Sequence, residues 1–274
     1  MALYAGGQRI ARIYKGDTRI ARAYNGSALV FRAYLDPAQA LFDAMTVKPG
    51  ATRRLLIADT IRDLIAAGVW AKLDLFYVLA AHDEQAARLN WKNPGANTLT
   101  AVNSPAFAAD QGFTGNATDA YLATGFNPVL QAGQFTQNSA HIGTFVRTTS
   151  VSSAVDAGYE SSPIVRIRSR TGTEIVNVNN SGGLVADVGD PPMHLMGIRR
   201  SSNNLFMFAD GVEVADEIDT SSAPLSQQFL ILACNGVFVD RQCSVFHIGA
   251  ALDDTEALAI STIIANYLDA VGAI

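Results

Sequence analysis

The chain has 274 residues, 49% of them apolar and 16% charged, with a net charge of −5. That composition supplies a core for one large domain or two modest ones and excludes global disorder. No run approaches the roughly 18 continuous apolar residues of a membrane span, so no membrane insertion is expected; the first 30 residues carry arginines where a secretion signal would be apolar.

The charge is unevenly spread. Residues 1–34 hold Arg9, Arg12, Lys15, Arg19, Arg22 and Arg32 against Asp17 alone, a net +5 that leaves −10 for the remainder. An acidic body is a poor match for phosphate, so nucleic acid is not expected as a partner.

The same stretch repeats every ten residues. Tyr4, Tyr14, Tyr24 and Tyr34 recur, as do Gly6, Gly16 and Gly26, and Arg12, Arg22 and Arg32. Six-residue alternating runs, separated by Lys15-Gly16-Asp17-Thr18 and Asn25-Gly26-Ser27-Ala28, predict strands joined by tight turns, a three-stranded meander. A meander of that size cannot bury both faces alone. It needs the chain's own body, other copies or a neighbouring protein, and a basic, repeat-built extension suits the latter two. Residues 1–35 are therefore read as an attachment and oligomerisation segment, with Arg9, Arg12, Arg19, Arg22, Arg32, Tyr14 and Tyr24 as contacts and a trimer as the expected homo-oligomer.

Asp36-Pro37 sets up a helix, with Asp as N-cap and Pro at the first helical position. Ile57, Ile61, Leu64 and Ile65 mark a second helix ending near Gly68, and Leu73–Leu79 reads as a buried strand. Residues 36–82 are thus a helical connector leading into the first strand of the main domain. From 83 to 274, short alternating runs at 140–147, 164–168, 174–178, 194–199, 205–209, 229–233 and 244–248 alternate with turn residues. Many short strands without interleaved helices predict an antiparallel sandwich or jelly roll. Asp253 and Glu256 then form a capping box ahead of a helix with Leu258, Ile260, Ile263, Ile264, Tyr267 and Leu268 on one stripe. Cys234 and Cys243 read as two buried reduced thiols.

Met196-Gly197-Ile198-Arg199-Arg200, followed by Leu205-Phe206-Met207-Phe208-Ala209-Asp210-Gly211, resembles the Asp-Gly hairpin of concanavalin A-like and laminin-G-like domains. So does the ending from Phe246 into the terminal helix. With Leu41–Met45, Leu73–Leu79, Ala86–Lys92 and Ser104–Asn116, the ordered series over 36–274 is similar to phage-encoded versions of these domains. The resemblance implies a mainly β, concanavalin A-like jelly-roll β-sandwich in a phage virion protein, made in the host cytoplasm. A tail fibre, tail tip or other surface appendage is implied, held to other virion proteins through residues 1–35 and with host-surface carbohydrate as a ligand. A capsid spike or decoration protein without ligand is an alternative.

Some relatives on this fold cleave glycans. Retaining members carry Glu-x-Asp-x-(x)-Glu on one strand, and the nearest match, Glu213 to Asp219, lacks the second glutamate. No catalytic residue is assigned, and the chain is expected not to be an enzyme; glycan hydrolysis is the alternative. The candidate sugar platform is Trp91 with Asn93 and Asn97, although Trp91 alternates with Leu89 as a core residue would. No cofactor is assigned. Calcium on Asp156, Asp187 and Asp190 is the one option left open, because related domains bind it at loop rims.

Overall fold

The computed structural model describes residues 36–131, 133–148, 154–169, 172–189 and 193–274, and the backbone of short strands within the first 32 residues. Those strands form three separate antiparallel ladders: β1 (Tyr4–Ala5) with β2 (Gln8–Arg9), β3 (Ile13–Lys15) with β4 (Thr18–Ile20), and β5 (Arg22–Asn25) with β6 (Ala28–Arg32). This differs from a three-stranded meander. Lys15 faces Thr18, and Asn25 faces Ala28, so pairing is between neighbours in sequence and the runs at 9–14 and 19–24 are each divided between two ladders. Short closures cost the least chain entropy. Arg12 and the side chains of Arg9, Tyr14, Arg19, Arg22, Tyr24 and Arg32 lie outside the described residues.

Helices α1 (Asp36–Ala44), α2 (Ala51–Ala66) and α3 (Val69–Lys72) follow, the last two separated by Gly68 in the left-handed region at φ 79°. They lead into β7 (Leu73–Val78) and the short α4 (Glu84–Ala87), whose N-terminal amides are capped by Asp83. Four short strands come next: β8 (Thr100–Val102), β9 (Ala106–Ala108), β10 (Gly112–Thr114) and β11 (Tyr121–Ala123). Then come β12 (Ala140–Val146), β13 (Ala157–Tyr159), β14 (Ile164–Arg168), β15 (Glu174–Asn180) and β16 (Leu184–Ala186). The chain continues through β17 (Met193–Arg199), β18 (Asn204–Ala209), β19 (Val212–Ile218), β20 (Leu230–Ile231), β21 (Ala233–Cys234) and β22 (Val237–Phe238). It ends with β23 (Gln242–Gly249) and α5 (Asp254–Ala270). The run expected as one strand at 229–233 is split, because Leu232 takes φ 69° and turns the backbone between β20 and β21.

Two antiparallel sheets make the sandwich. One runs β19-β18-β17-β12-β23-β10-β9, with β7 also on β23; the other runs β16-β15-β14-β13-β20-β11-β8. Between β18 and β19, Asp210 (φ 50°) and Gly211 (φ 84°) form the two-residue turn that the Asp-Gly pair signalled. A Cβ at Gly211 would also lie 2.7 Å from the Leu258 backbone of α5, so this position needs glycine twice over.

The centre of the eight-stranded sheet is covered on both faces. Its inner face meets the other sheet, where Gly197 leaves room for Val176 and Val178. Its outer face is roofed by α5, capped by the expected Asp253–Glu256 box, with α2 packed on α5. Every residue of β12, β17 and β23 is consequently buried. The polar members of these runs do not face water: His141, His194 and His247 point into the layer between sheet and helices. Residues of α1 to α3, both sheets and α5 join in one apolar core. Both cysteines are buried and unbridged.

Candidate functional site

The residues singled out in the sequence do not converge. Trp91 is buried, edge-on to Phe76 (5.8 Å) and to Tyr267 (5.6 Å), so it presents no face to a sugar. Asn93 is exposed and Asn97 half-buried on the loop beyond it, and the Asn97 amide donates to Gln131. Asp156 is not at a loop rim. It is fully buried and pairs with the equally buried Arg241 at 2.9 Å, while its other oxygen accepts from the Ser169 amide and hydroxyl. Asp187 accepts from the Gly189 amide, and Asp190 lies outside the described residues. Among the described residues no group of three or more His, Cys, Asp or Glu is placed to hold a metal. Of the carboxylates near the Asp-Gly hairpin, Asp219 is engaged by Arg199 and Asn180, whereas Glu213 and Glu217 lie exposed on β19.

The three buried histidines are chemically distinctive but form a chain, not a ligand set. His141 Nδ1 bonds the Ala250 carbonyl, and His141 Nε2 lies 2.9 Å from His247 Nδ1. His247 Nε2 is 2.7 Å from His194 Nε2, and His194 Nδ1 is 2.7 Å from Ser261 Oγ on α5. A carbonyl only accepts, so His141 carries its proton on Nδ1 and accepts at Nε2. His247 must then donate from Nδ1, His194 from Nε2, and Ser261 closes the relay with its hydroxyl. Every imidazole is neutral in this arrangement. Burial pushes His141 down to about 4 and His194 to about 3, and holds His247 well below its ordinary value, with the neighbouring imidazoles adding to the effect on the latter two. Gly143 makes the room, since a Cβ there would come within 2.3 Å of the His247 ring. With each nitrogen facing a neighbour, the cluster ties strands to helix and is closed to solvent.

An open site lies on the other sheet. A groove of about 400 Å³ is lined by Tyr121, Gly158, Tyr159, Glu160, Ser226, Gln227, Gln228, Leu230 and Asn235. β11, β13 and β20 supply its floor and the β20 approach and β21–β22 turn supply its walls. Gly158 sits at φ 125°, and a Cβ there would meet the Val165 carbonyl oxygen at 2.1 Å, so the floor carries no side chain at that point. Tyr159 is buried with its ring 5.2 Å from Phe229; its hydroxyl accepts from the Leu225 amide, and burial pushes its pKa up to about 12. Tyr121 is half-buried, leaning on Phe238 at 6.0 Å.

The polar walls differ in how far they are already engaged. Glu160 is held by Arg166, which also donates to Asn177 at 2.8 Å. Gln228 accepts from the Gly125 amide at 3.1 Å, and Ser226 accepts from Asn127 at 3.0 Å, which fixes the loop carrying the exposed Val129 and Leu130 beside the groove. Among the described residues nothing occupies the side chains of Gln227 and Asn235, both exposed; Asn235 takes φ 47° in its turn. An aromatic face flanked by uncommitted amides can stack on the apolar side of a pyranose and bond its hydroxyls. The groove draws on three strands and two turns far apart in sequence. Only the polar run Ser226-Gln227-Gln228 before an apolar strand hinted at it.

No protein-family model matches the chain, and no curated protein sequence does. Solved structures resemble it. The receptor binding domain of botulinum neurotoxin C/D mosaic serotype is 9% identical with a TM-score of 0.55, over 70% of this chain and 51% of that one. The botulinum neurotoxin serotype G binding domain is 10% identical with a TM-score of 0.52, over 70% and 51%. A Trypanosoma rangeli sialidase mutant displaying trans-sialidase activity is 9% identical with a TM-score of 0.53, over 80% and 40%. The match thus spans about half the length of the neurotoxin domains and less of the sialidase. At these identities the likeness is one of fold: the chain is a mainly β, antiparallel sandwich compatible with a jelly roll and closed by a C-terminal helix.

Proposed function

We propose that this chain is a non-enzymatic, glycan-binding sandwich of a phage virion appendage, carried by its basic N-terminal repeat. The observation that carries the binding reading is the groove in which half-buried Tyr121 stands beside the unengaged amides of Gln227 and Asn235. Two kinds of structure sharing the sandwich, a receptor binding domain and a sialidase, add support for a surface glycan as the ligand class. The groove's one lining carboxylate, Glu160, is held by Arg166, which supports reading it as a binding surface. The virion assignment rests on the ordered sequence series over 36–274 and on the repeat that precedes it.

The test is a glycan array followed by calorimetry with the best hit. Tyr121→Ala should weaken binding by ten-fold or more, and Gln227→Ala together with Asn235→Ala by a similar factor, with unchanged far-ultraviolet circular dichroism. Binding that survives both sets of substitutions at full affinity would remove the groove from the reading.

A further inference from the structure

The two sheets leave one long strand uncovered. β19 pairs with β18 along one edge, and among the described residues no strand pairs with its other edge. All of its residues are exposed except Ala215, which is half-exposed. Val212 is 61% exposed and Ile218 85%, and Val185 on the neighbouring edge strand β16 is also open. The outward-pointing amides and carbonyls of this seven-residue edge, about 23 Å long at roughly 3.3 Å per residue, are a template for strand addition. Proteins usually blunt such an edge, and here the means are a bulge between Met207 and Phe208 on the ladder and the carboxylates Glu213, Asp216 and Glu217. Among the described residues none of the three is in an ion pair. Those charges repel a second acidic edge of the same kind. They do not repel a basic strand.

The same chain carries a matching need. Its N-terminal ladders are each two-stranded, so each of their strands has a partner on one side only among the described residues. Isolated two-stranded ladders are marginal in water and require a further strand or face. Five of their six strands carry one basic residue each, Arg9, Lys15, Arg19, Arg22 and Arg32, within a segment of net +5 over residues 1–34. β19, Val-Glu-Val-Ala-Asp-Glu-Ile, carries the opposite charge. We propose that β19 is the acceptor edge for the basic repeat of a second copy of this chain, which adds a strand to the eight-stranded sheet. The contact is head-to-tail, joining the repeat of one copy to the edge of the next, so it closes into a ring when the rotation permits.

The full chain in sedimentation velocity at micromolar concentration should show an oligomer that weakens as salt rises from 0.05 to 0.5 M, because the contact is exposed and ionic. Glu213→Arg with Glu217→Arg should lower the association at least ten-fold. Arg19→Glu with Arg22→Glu should do the same, and the four changes together should restore it by inverting both partners. A monomeric full chain, an oligomer indifferent to the edge substitutions, or failure of the fourfold variant to reassociate while folded by circular dichroism would each overturn the proposal. Glycan binding is read separately, so neither result decides the other.

Discussion

Acidification is the perturbation to which the histidine relay should answer most directly. In the unfolded chain His141, His194 and His247 protonate near the ordinary value of about 6.5. In the fold they stay neutral, because a second proton on any of them would set two donors against each other in a buried layer. Their folded values lie below the unfolded one, so the stabilisation is complete above about pH 6.5 and is lost as pH falls. Each neutral imidazole forfeits about 1.4 kcal/mol per pH unit in that range. Starting from half-protonated unfolded imidazoles at about pH 6.5, the loss by pH 5.0 amounts to about 1.6 kcal/mol for each and about 5 kcal/mol for three, comparable with the whole stability of an ordinary domain at roughly 5–15 kcal/mol. The buried carboxyls of Asp74 and Asp156, raised chiefly by desolvation, act in the opposite sense as pH falls. Urea unfolding followed by tryptophan fluorescence at pH 7.5, 6.5, 5.75 and 5.0 should show a flat region and then a slope approaching three protons taken up on unfolding. His194→Gln should reduce that slope by about a third. Uptake of less than one proton in the wild-type chain would refute the neutral-relay argument.

Other substitutions probe the packing and the proposed role. Gly143→Ala would drive a methyl into the His247 ring and should cost about 1–3 kcal/mol, read as a lower midpoint in urea. Asp156→Ala removes the buried carboxylate 2.9 Å from the Arg241 guanidinium; a loss of about 3–5 kcal/mol in thermal or urea unfolding is expected. The chain should release no reducing sugar from host capsule, lipopolysaccharide or β-glucan, and Glu217→Gln should leave that assay unchanged; turnover abolished by the substitution would establish a hydrolase. A variant lacking residues 1–35 should melt cooperatively yet fail to incorporate into particles, as measured by its presence in purified virions.

Elements with strong local signals were legible in the sequence. The Asp253–Glu256 capping box marks the start of α5, and the Asp210-Gly211 pair marks the β18–β19 turn, because each depends on a few adjacent residues. Alternation located β12, β14, β15, β17, β18 and β23. It did not reveal which polar residues face solvent: in β12 and β17 the alternate face carries His141 and His194 beneath α5, a layer supplied from elsewhere in the chain. The split at Leu232 was hidden because a left-handed leucine has no compositional signature. The groove was hidden for a related reason. Tyr121, Tyr159 and Asn235 are unremarkable in their own segments and meet only when β11, β13 and the β21–β22 turn are brought together. Trp91 stood out by type and is core.

The position of β23 also governs how this chain must come into being. β23 is the hub of the eight-stranded sheet, pairing with β12, β10 and β7, and it leaves the ribosome after all three. Val78 of β7 has to wait for Val245, more than 160 residues later, for its ladder partner. At about 5–20 residues per second, that is roughly 10–30 s of synthesis during which an apolar early strand has no mate. The fold is therefore dominated by late, non-local contacts of the kind that form slowly. Nascent chains truncated before Gln242 should be held by chaperones or aggregate, and emergence of β23 is the step that lets the sheet close.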